Sequence, residues 1–395
     1  MTLTTRSLAP VVAVALLLAA CGDSDDASSS SASASASASA SASASASASE
    51  PASETTAAPE TTVAPETTVA AETEGDDGGA EQVAVTYPLT IEHKFGTATI
   101  DAEPERVVSV GYNEHDFLLA LGVVPVGLRD WYGEQPNSVW PWAQDELGAA
   151  APEVVATTEG INYEAIAATD PDVIVGIWSG MTEEEYELLS AIAPTVAQPD
   201  AYADYGTPWQ EQTEILGQVT NRTEEAEAAV ERIDDRIAEV RAAHPEWEGL
   251  TATVAFSFGG EPGAYNTSDP RSRFLADLGF TIPERYDVDD DASGFYEVSP
   301  ENLSELDTDL VVWVAGTEED YADIIATLPT RQTLRATQEG REIFASTEIT
   351  GAFSHSSPLS LEFVLDELVS EIELAVDGDP STPVPSAVEF ADAAG

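Results

Sequence analysis

Two series of short apolar runs that alternate with helix-like segments constrain the fold of this chain more than any other feature. The apolar runs are at residues 106–110, 123–127, 171–177, 253–258 and 309–314, and the helix-like segments are at about 113–121, 162–168, 182–192, 209–219, 271–278 and 358–375. Strands that alternate with helices are typical of a parallel sheet covered by helices on both faces. The sequence therefore predicts an α/β protein.

A long amphipathic segment separates the two series. It predicts a helix that begins after an N-cap at Thr223 and ends near Ala243. Four apolar residues share one face of this helix: Val230, Ile233, Ile237 and Val240. At a rise of about 1.5 Å per residue the helix is about 30 Å long, enough to join two lobes. We expect two doubly wound α/β lobes bridged by this single helix, with a ligand-binding cleft between them.

The segment before the first series has a composition that cannot form a core. Residues 27–49 are only Ala and Ser, and Pro/Glu/Thr near-repeats follow. Such segments bury too little apolar surface to offset the entropy lost on ordering, so they predict a disordered tether. The predicted organisation is a signal peptide (1–20), Cys21 with the tether (21–84), a first lobe (85–220), the bridging helix (221–246), a second lobe (247–379) and a flexible tail (380–395).

The single cysteine, Cys21, directly follows an apolar run at residues 8–20. That run is too short to span a bilayer and is typical of a signal peptide. Residues 18–21, Leu-Ala-Ala-Cys, resemble a bacterial lipoprotein lipobox. The resemblance implies that Cys21 is lipidated and anchors an exported protein to the extracytoplasmic face of the cell membrane.

The charge balance excludes several classes of partner. The chain has 73 acidic and 14 basic residues, a formal net charge of −59. Nucleic-acid binding requires clustered cations, so it is excluded, and so is adsorption to anionic lipid. The sequence also has no nucleophile elbow, phosphate-binding loop or His-Glu-x-x-His motif, which argues against an enzyme.

Several motifs, in this order and behind a lipobox, resemble the iron-siderophore substrate-binding lipoproteins of ABC importers. The matching segments are residues 104–108, 162–166, 171–175, 271–280 and 357–361. The resemblance covers about residues 90–375. It implies a non-catalytic receptor without a cofactor of its own, expected to be a monomer, which captures a ferric siderophore and delivers it to an ABC permease with its ATPase. Cobalamin or haem as the ligand is the main alternative, and a surface adhesion module is less favoured.

The resemblance also implies two contacts with the permease. In this family one glutamate on each lobe inserts into an arginine pocket of the permease. The matching residues are Glu164 and Glu301, each in a helix-like segment just before a buried strand. Contacts between a carboxylate and a guanidinium are directional, so two such pairs can fix the orientation of docking.

Ligand-binding residues are expected where the strands end at the cleft. Those segments are rich in aromatic residues, whose faces suit a bulky iron chelate: Tyr112, Trp131, Tyr132, Trp140, Trp178, Trp209, Tyr265 and Tyr296. Some tryptophans are expected to pack inside the lobes instead, as is Trp313, which lies within a strand. For an anionic chelate, Arg129 and Arg271 are the predicted cations.

The four histidines are too few and too scattered to predict a multi-histidine metal site. His115 and His355 are the two for which contact with the ligand or its iron stays open. The sequence does not decide which siderophore is bound.

Overall fold

The computed structural model describes residues 85–287, 294–315 and 318–393. The predicted signal peptide, Cys21 and the predicted tether lie outside the described residues. The strands are β1 (Leu89–His93), β2 (Gly96–Ile100), β3 (Val107–Ser109), β4 (Gly127–Arg129), β5 (Glu153–Thr157), β6 (Gly160–Ile161), β7 (Val173–Gly176), β8 (Thr195–Ala197), β9 (Ala252–Phe258), β10 (Glu261–Tyr265), β11 (Phe295–Glu297), β12 (Leu310–Trp313) and β13 (Glu342–Phe344).

The helices are of two kinds. The α-helices are α1 (Glu114–Ala120), α2 (Gln144–Leu147), α3 (Tyr163–Ala168), α4 (Glu183–Ser190), α5 (Trp209–Thr220), α6 (Thr223–Ala243), α7 (Pro270–Asp277), α8 (Glu318–Thr327), α9 (Arg335–Gln338), α10 (Thr347–His355), α11 (Pro358–Ala375) and α12 (Pro385–Ala393). Short 3-10 helices lie at Pro136–Ser138, Pro141–Ala143, Pro245–Trp247, Glu284–Tyr286, Pro300–Leu306 and Pro329–Thr333.

The first lobe is built on a sheet with strand order β6-β5-β4-β3-β7-β8. All of its pairs are parallel except β5 with β6, at one edge. Strand β7 is buried along its whole length, as its uninterrupted apolar sequence predicts for a central parallel strand. Because the parallel strands run in one direction, their carboxyl ends meet at one edge of the sheet.

The second lobe has the strand order β11-β10-β9-β12-β13. Strands β9, β12 and β13 are parallel to one another. Strand β10 pairs antiparallel with β9, and β11 pairs antiparallel with β10. Trp313, in β12, is fully buried in the core, as predicted. The prediction of two α/β lobes is confirmed, and each sheet is mixed because antiparallel strands extend one of its edges.

Helix α6 connects the two lobes, ends at the predicted residue and begins one residue before its predicted start. Ile233 and Ile237 are buried, and Val230 and Val240 pack against the same core. The helix packs against α5 of the first lobe and against α7 and α11, which follow it in the chain. Its N-cap is Arg222 rather than Thr223, because the Arg222 carbonyl already accepts a hydrogen bond from the Ala226 N–H at 2.9 Å.

Two predicted elements differ in the structure. The run at 123–127 begins its strand only at Gly127, because the Val123 N–H donates to the Leu118 carbonyl at the end of α1. The prediction of a flexible tail over residues 380–395 is wrong for 385–393, which form α12. The Phe390 ring packs 4.5 Å from the Tyr321 ring, between centroids, so this tail is attached to the second lobe.

Candidate functional site

The loops that follow the parallel strands of the first lobe form one wall of a cavity. Tyr112 follows β3, Trp131 follows β4, Thr158 follows β5 and Trp178 follows β7. The segment 203–206, between β8 and α5, completes this wall. The opposite wall comes from the second lobe, and its residues are Tyr265, Ser268, Asp269, Arg271 and Gly294. The cavity between the two walls has a volume of about 290 Å³.

Aromatic rings make the first-lobe wall rigid. Ring centroids lie 5.3 Å apart for Tyr112 and Trp131, 5.8 Å for Trp131 and Trp178, and 5.1 Å for Trp178 and Tyr205, all edge to face. Edge-to-face pairs at these separations are favourable beyond the area they bury. The rings therefore hold one another in position before any ligand arrives.

Tyr205 is a wall residue that the sequence analysis missed. Its carbonyl accepts a hydrogen bond of 2.6 Å from Trp178 Nε1, which places the two residues against each other. Its backbone has a φ of 63°, in the left-handed region that residues other than glycine seldom adopt. The strand-end rule would have found it if the three-residue strand β8, which precedes this loop, had been predicted.

Arg271, near the start of α7, is a buried cation of the second-lobe wall. Its Nη1 lies 2.7 Å from Asp269 Oδ2, its Nη2 donates to Ser354 Oγ at 3.1 Å, and its guanidinium lies 4.1 Å from the Tyr265 ring centroid. Asp269 also caps α7 by accepting a hydrogen bond from the Arg271 N–H. One carboxylate thus both begins the helix and neutralises the cation.

Arg129 does not line the cavity, but lies behind its wall. Its Nε donates to the Val110 carbonyl at 2.7 Å, its Nη1 donates to the Thr157 carbonyl, and its guanidinium lies 4.4 Å from the Tyr112 ring centroid. Burial raises the pKa of the neighbouring Glu114 carboxyl, while a hydrogen bond from the Trp178 N–H and the charge of Arg129 act in the opposite direction. The contact between the Arg129 guanidinium and the Tyr112 ring therefore supports this ring on the side away from the cavity.

The structure brings together Tyr112, Trp131, Trp178, Tyr265 and Arg271 at the cavity. The other predicted ligand-binding residues are not among its lining residues: Arg129, Tyr132, Trp140, Trp209 and Tyr296. Trp209 is buried in the core at the start of α5, and Tyr296 packs on Tyr286 from β11. A position after the carboxyl end of a strand predicts that a residue lies near the cleft, but it does not predict the direction of the side chain.

Trp140 packs at the contact between the lobes. Its ring stacks on Trp142 at 5.1 Å and is only 2% exposed. A Cβ added to Gly351, in α10 of the second lobe, would lie 2.7 to 2.9 Å from three carbon atoms of this ring. Tyr132, beside it, donates a 3.4 Å hydrogen bond to the Thr350 carbonyl. These residues hold the two lobes in contact.

Substituting Gly351→Ala is expected to lower the free energy of unfolding by about 1–2 kcal/mol. Alanine in place of glycine within a helix usually stabilises by up to about 1 kcal/mol. Here the added methyl group meets a buried ring that Trp142 stacks against, and overpacking of this kind costs about 1–3 kcal/mol. Denaturant unfolding measures the change. A more stable Gly351→Ala variant would show that helix propensity outweighs the clash.

A buried polar cluster lies where α1 meets the second lobe. Asn113 Nδ2 donates to the His355 carbonyl at 2.9 Å, and Ser357 Oγ donates to Asp116 Oδ2 at 2.8 Å. The His115 and His355 rings lie 5.6 Å apart. Neither histidine lines the cavity, and each is 1% exposed. Among the described residues, no group of His, Cys, Asp and Glu side chains is arranged to hold a metal ion.

The cluster is expected to make stability fall in acid. Burial, and then the charge of His355, lower the pKa of His115 to about 3 from its ordinary value of 6.5. Between these values the unfolded chain binds a proton that the folded chain does not, so stability decreases as the pH falls. From pH 7 to pH 5 the loss from His115 is about 2 kcal/mol.

Comparing the protein with its His115→Gln variant at both pH values by denaturant unfolding tests this expectation. Burial raises the pKa of Asp116, which acts in the opposite direction, but that contribution is common to both proteins. The variant should lose about 2 kcal/mol less on acidification. Equal losses would show that His115 does not titrate as its burial implies.

Glu164 and Glu301 are both exposed. Glu164 lies in the first turn of α3, which Asn162 caps, and the buried strand β7 follows. Glu301 lies in the first turn of the 3-10 helix Pro300–Leu306, and the buried strand β12 follows. The two side chains therefore occupy corresponding places in the two lobes. Among the helices that the structure describes, none combines the length and the apolar character that spanning a bilayer requires.

Known proteins share this fold and part of its sequence. The family described as periplasmic binding protein matches residues 107–347. A solved periplasmic solute binding protein from Mycobacterium smegmatis is 36% identical, with a TM-score of 0.65, over 76% of this chain and 100% of that one. PiaA of Streptococcus pneumoniae, solved in complex with ferrichrome, is 25% identical, with a TM-score of 0.61, over 73% of this chain and 99% of that one.

A curated relative agrees with these structures. The probable siderophore-binding lipoprotein YfiY of Bacillus subtilis is 27% identical over 241 residues, which are 59% of this chain and 70% of YfiY. The family consists of binding proteins rather than enzymes, as the absence of catalytic motifs in the sequence suggested. The match spans both lobes and the helix between them. The predicted resemblance is confirmed, and the chain belongs to the periplasmic binding protein family.

Proposed function

We propose that this protein captures a ferric siderophore in the cleft between its lobes and delivers it to an ABC permease with its ATPase. The observation that carries the proposal is the cavity itself, in which the aromatic wall of Tyr112, Trp131, Trp178 and Tyr205 faces Tyr265 and Arg271. Rings held in place by one another suit a bulky chelate, and the buried pair of Arg271 with Asp269 supplies polar groups at the same cavity. The ligands named for YfiY and PiaA support the same class of substrate.

Delivery requires a surface that the permease recognises. Glu164 and Glu301 project from corresponding helices of the two lobes, and they are the residues we assign to docking. Arginine pairs with carboxylate in a planar, bidentate geometry, so two separated glutamates define both position and orientation. Lipidation at Cys21 would hold the protein on the extracytoplasmic face of the membrane, close to the permease, and YfiY is likewise named a lipoprotein.

A titration of tryptophan fluorescence tests capture. Trp131 and Trp178 line the cavity, so a bound ferric chelate is expected to quench the emission saturably. Tyr205→Ala removes a wall ring and should weaken binding about 10-fold. Tyr202→Ala is the matched control, because Tyr202 lies in the same loop but donates to Glu211 Oε2 at 2.5 Å and does not line the cavity.

The same titration separates the alternatives. Saturable quenching by haem or cobalamin, with none by any ferric chelate, would overturn the siderophore proposal within the same architecture. No response to any of these ligands would favour a surface adhesion module. An unchanged affinity in Tyr205→Ala would place the ligand elsewhere.

A further inference from the structure

The charges at the cavity wall come in pairs. The Lys94 Nζ lies 2.6 Å from Oδ1 of Asp204, which is a lining residue. Arg271 and Asp269, both lining residues, are paired at 2.7 Å and almost fully buried. In the described part of the cavity wall, each carboxylate thus neutralises a cation, and neither cation carries surplus charge toward a ligand.

The cations behind the wall are also occupied. Arg129 donates to the Val110 and Thr157 carbonyls and faces the back of the Tyr112 ring. Arg273, from the second lobe, donates to the Gly206 carbonyl at 2.9 Å, and its charge interacts with those of Asp269 and Asp277. These contacts hold the wall and the lobes together, and they use Nε and Nη1 of Arg129 and Nη1 of Arg273 within the protein.

The net charge of the chain also disfavours the binding of anions. The chain has a net charge of −59, and a large net negative charge disfavours the approach of anions. An anionic ligand that entered would also have to displace Asp269 from Arg271 or Asp204 from Lys94. For Asp269, which is buried, losing its partner is costly, whereas the more exposed Asp204 contributes less.

Resting on the proposed function, we propose that this cleft selects ferric chelates whose net charge is near zero and discriminates against polyanionic chelates. Three singly charged hydroxamate groups cancel the charge of Fe³⁺, whereas three doubly charged catecholates leave a trianion, and ferric dicitrate is also an anion. The aromatic wall binds the apolar surface of a neutral chelate without needing counter-charge. This reverses the expectation from the sequence that Arg129 and Arg271 are placed for an anionic ligand.

The test compares three probes on the full chain: a neutral ferric trihydroxamate, a ferric tris-catecholate and ferric dicitrate. The trihydroxamate is expected to bind at least about 10-fold more tightly than either anion. Tris-catecholate or dicitrate binding as tightly as the trihydroxamate would overturn this inference and leave the proposed function intact. Binding of none of the three would overturn both.

Two variants test whether charge pairing is the cause. Asp269→Asn frees the charge of Arg271 and keeps a residue that can cap α7, and Asp204→Asn frees Lys94 at a less buried position. Each is expected to improve binding of the anionic chelates about 10-fold relative to the trihydroxamate. Asp235→Asn, on the exposed face of α6, changes the net charge equally and should leave the ratio unchanged. An unchanged ratio in both cavity variants would overturn the inference.

Discussion

Replacing Glu164 and Glu301 together by alanine is expected to reduce import of the ferric siderophore at least about 10-fold while its affinity for the protein stays the same. Both side chains are exposed and neither lines the cavity, so ligand binding and folding should be unaffected. Losing one partner of a charge pair that becomes buried on docking costs about 2–5 kcal/mol. Each single substitution should therefore weaken import, and the double substitution should weaken it most.

Uptake of radioactive iron by cells that carry each variant as the only copy measures the effect. The matched control is Glu183→Ala with Glu225→Ala, because these glutamates are also exposed and in the first turn of a helix. The control should import normally. Normal import by the Glu164/Glu301 variant, or an equal loss in the control, would contradict the docking assignment.

Substituting Arg331→Met is expected to lower the free energy of unfolding by about 3–5 kcal/mol. Arg331 Nη1 lies 2.5 Å from Glu342 Oε2, and both residues are buried in the second lobe. Trp313 Nε1 donates to the other oxygen of Glu342 at 2.9 Å. Methionine fills much of the space of the arginine, but it leaves the carboxylate buried without a countercharge.

Denaturant unfolding of three variants tests the cause of this loss. Arg331→Met combined with Glu342→Gln removes both charges and keeps an acceptor for Trp313, so it should recover much of the stability. Arg236→Met removes a cation from an exposed pair with Asp366 and should cost less than about 1 kcal/mol. A loss in Arg331→Met no larger than that in Arg236→Met would show that the buried pair contributes no more than an exposed one.

The elements that were predicted best are those whose sequence pattern repeats over several turns or fills a whole strand. Helix α6 lies within one residue of its predicted bounds, because apolar residues at spacings of three and four define one helical face, and α11 has the bounds predicted for it. Strand β7 was found because an uninterrupted apolar run must be covered on both faces.

The elements that were missed or misplaced are short or decided by contacts. Strand β8 has only three residues and no recognisable periodic pattern. Because the strand was not predicted, the loop that follows it, with Tyr205, was not predicted as part of the cavity wall. Helix α12 forms where Phe390 packs on Tyr321, a contact between residues far apart in the sequence. Local composition says little about either.

The sequence by itself determined the alternation of strands and helices in two series, the two-lobed α/β class and the family, because these depend on periodicity and on motifs that are local in the chain. Only the tertiary structure decided which aromatic rings face the cavity. It also decided that Trp140 packs at the contact between the lobes and does not line the cavity. It also decided that Asp269 and Asp204 neutralise the neighbouring cations. Side-chain direction and charge pairing depend on distances between residues from separate elements, and those distances exist only after the chain has folded.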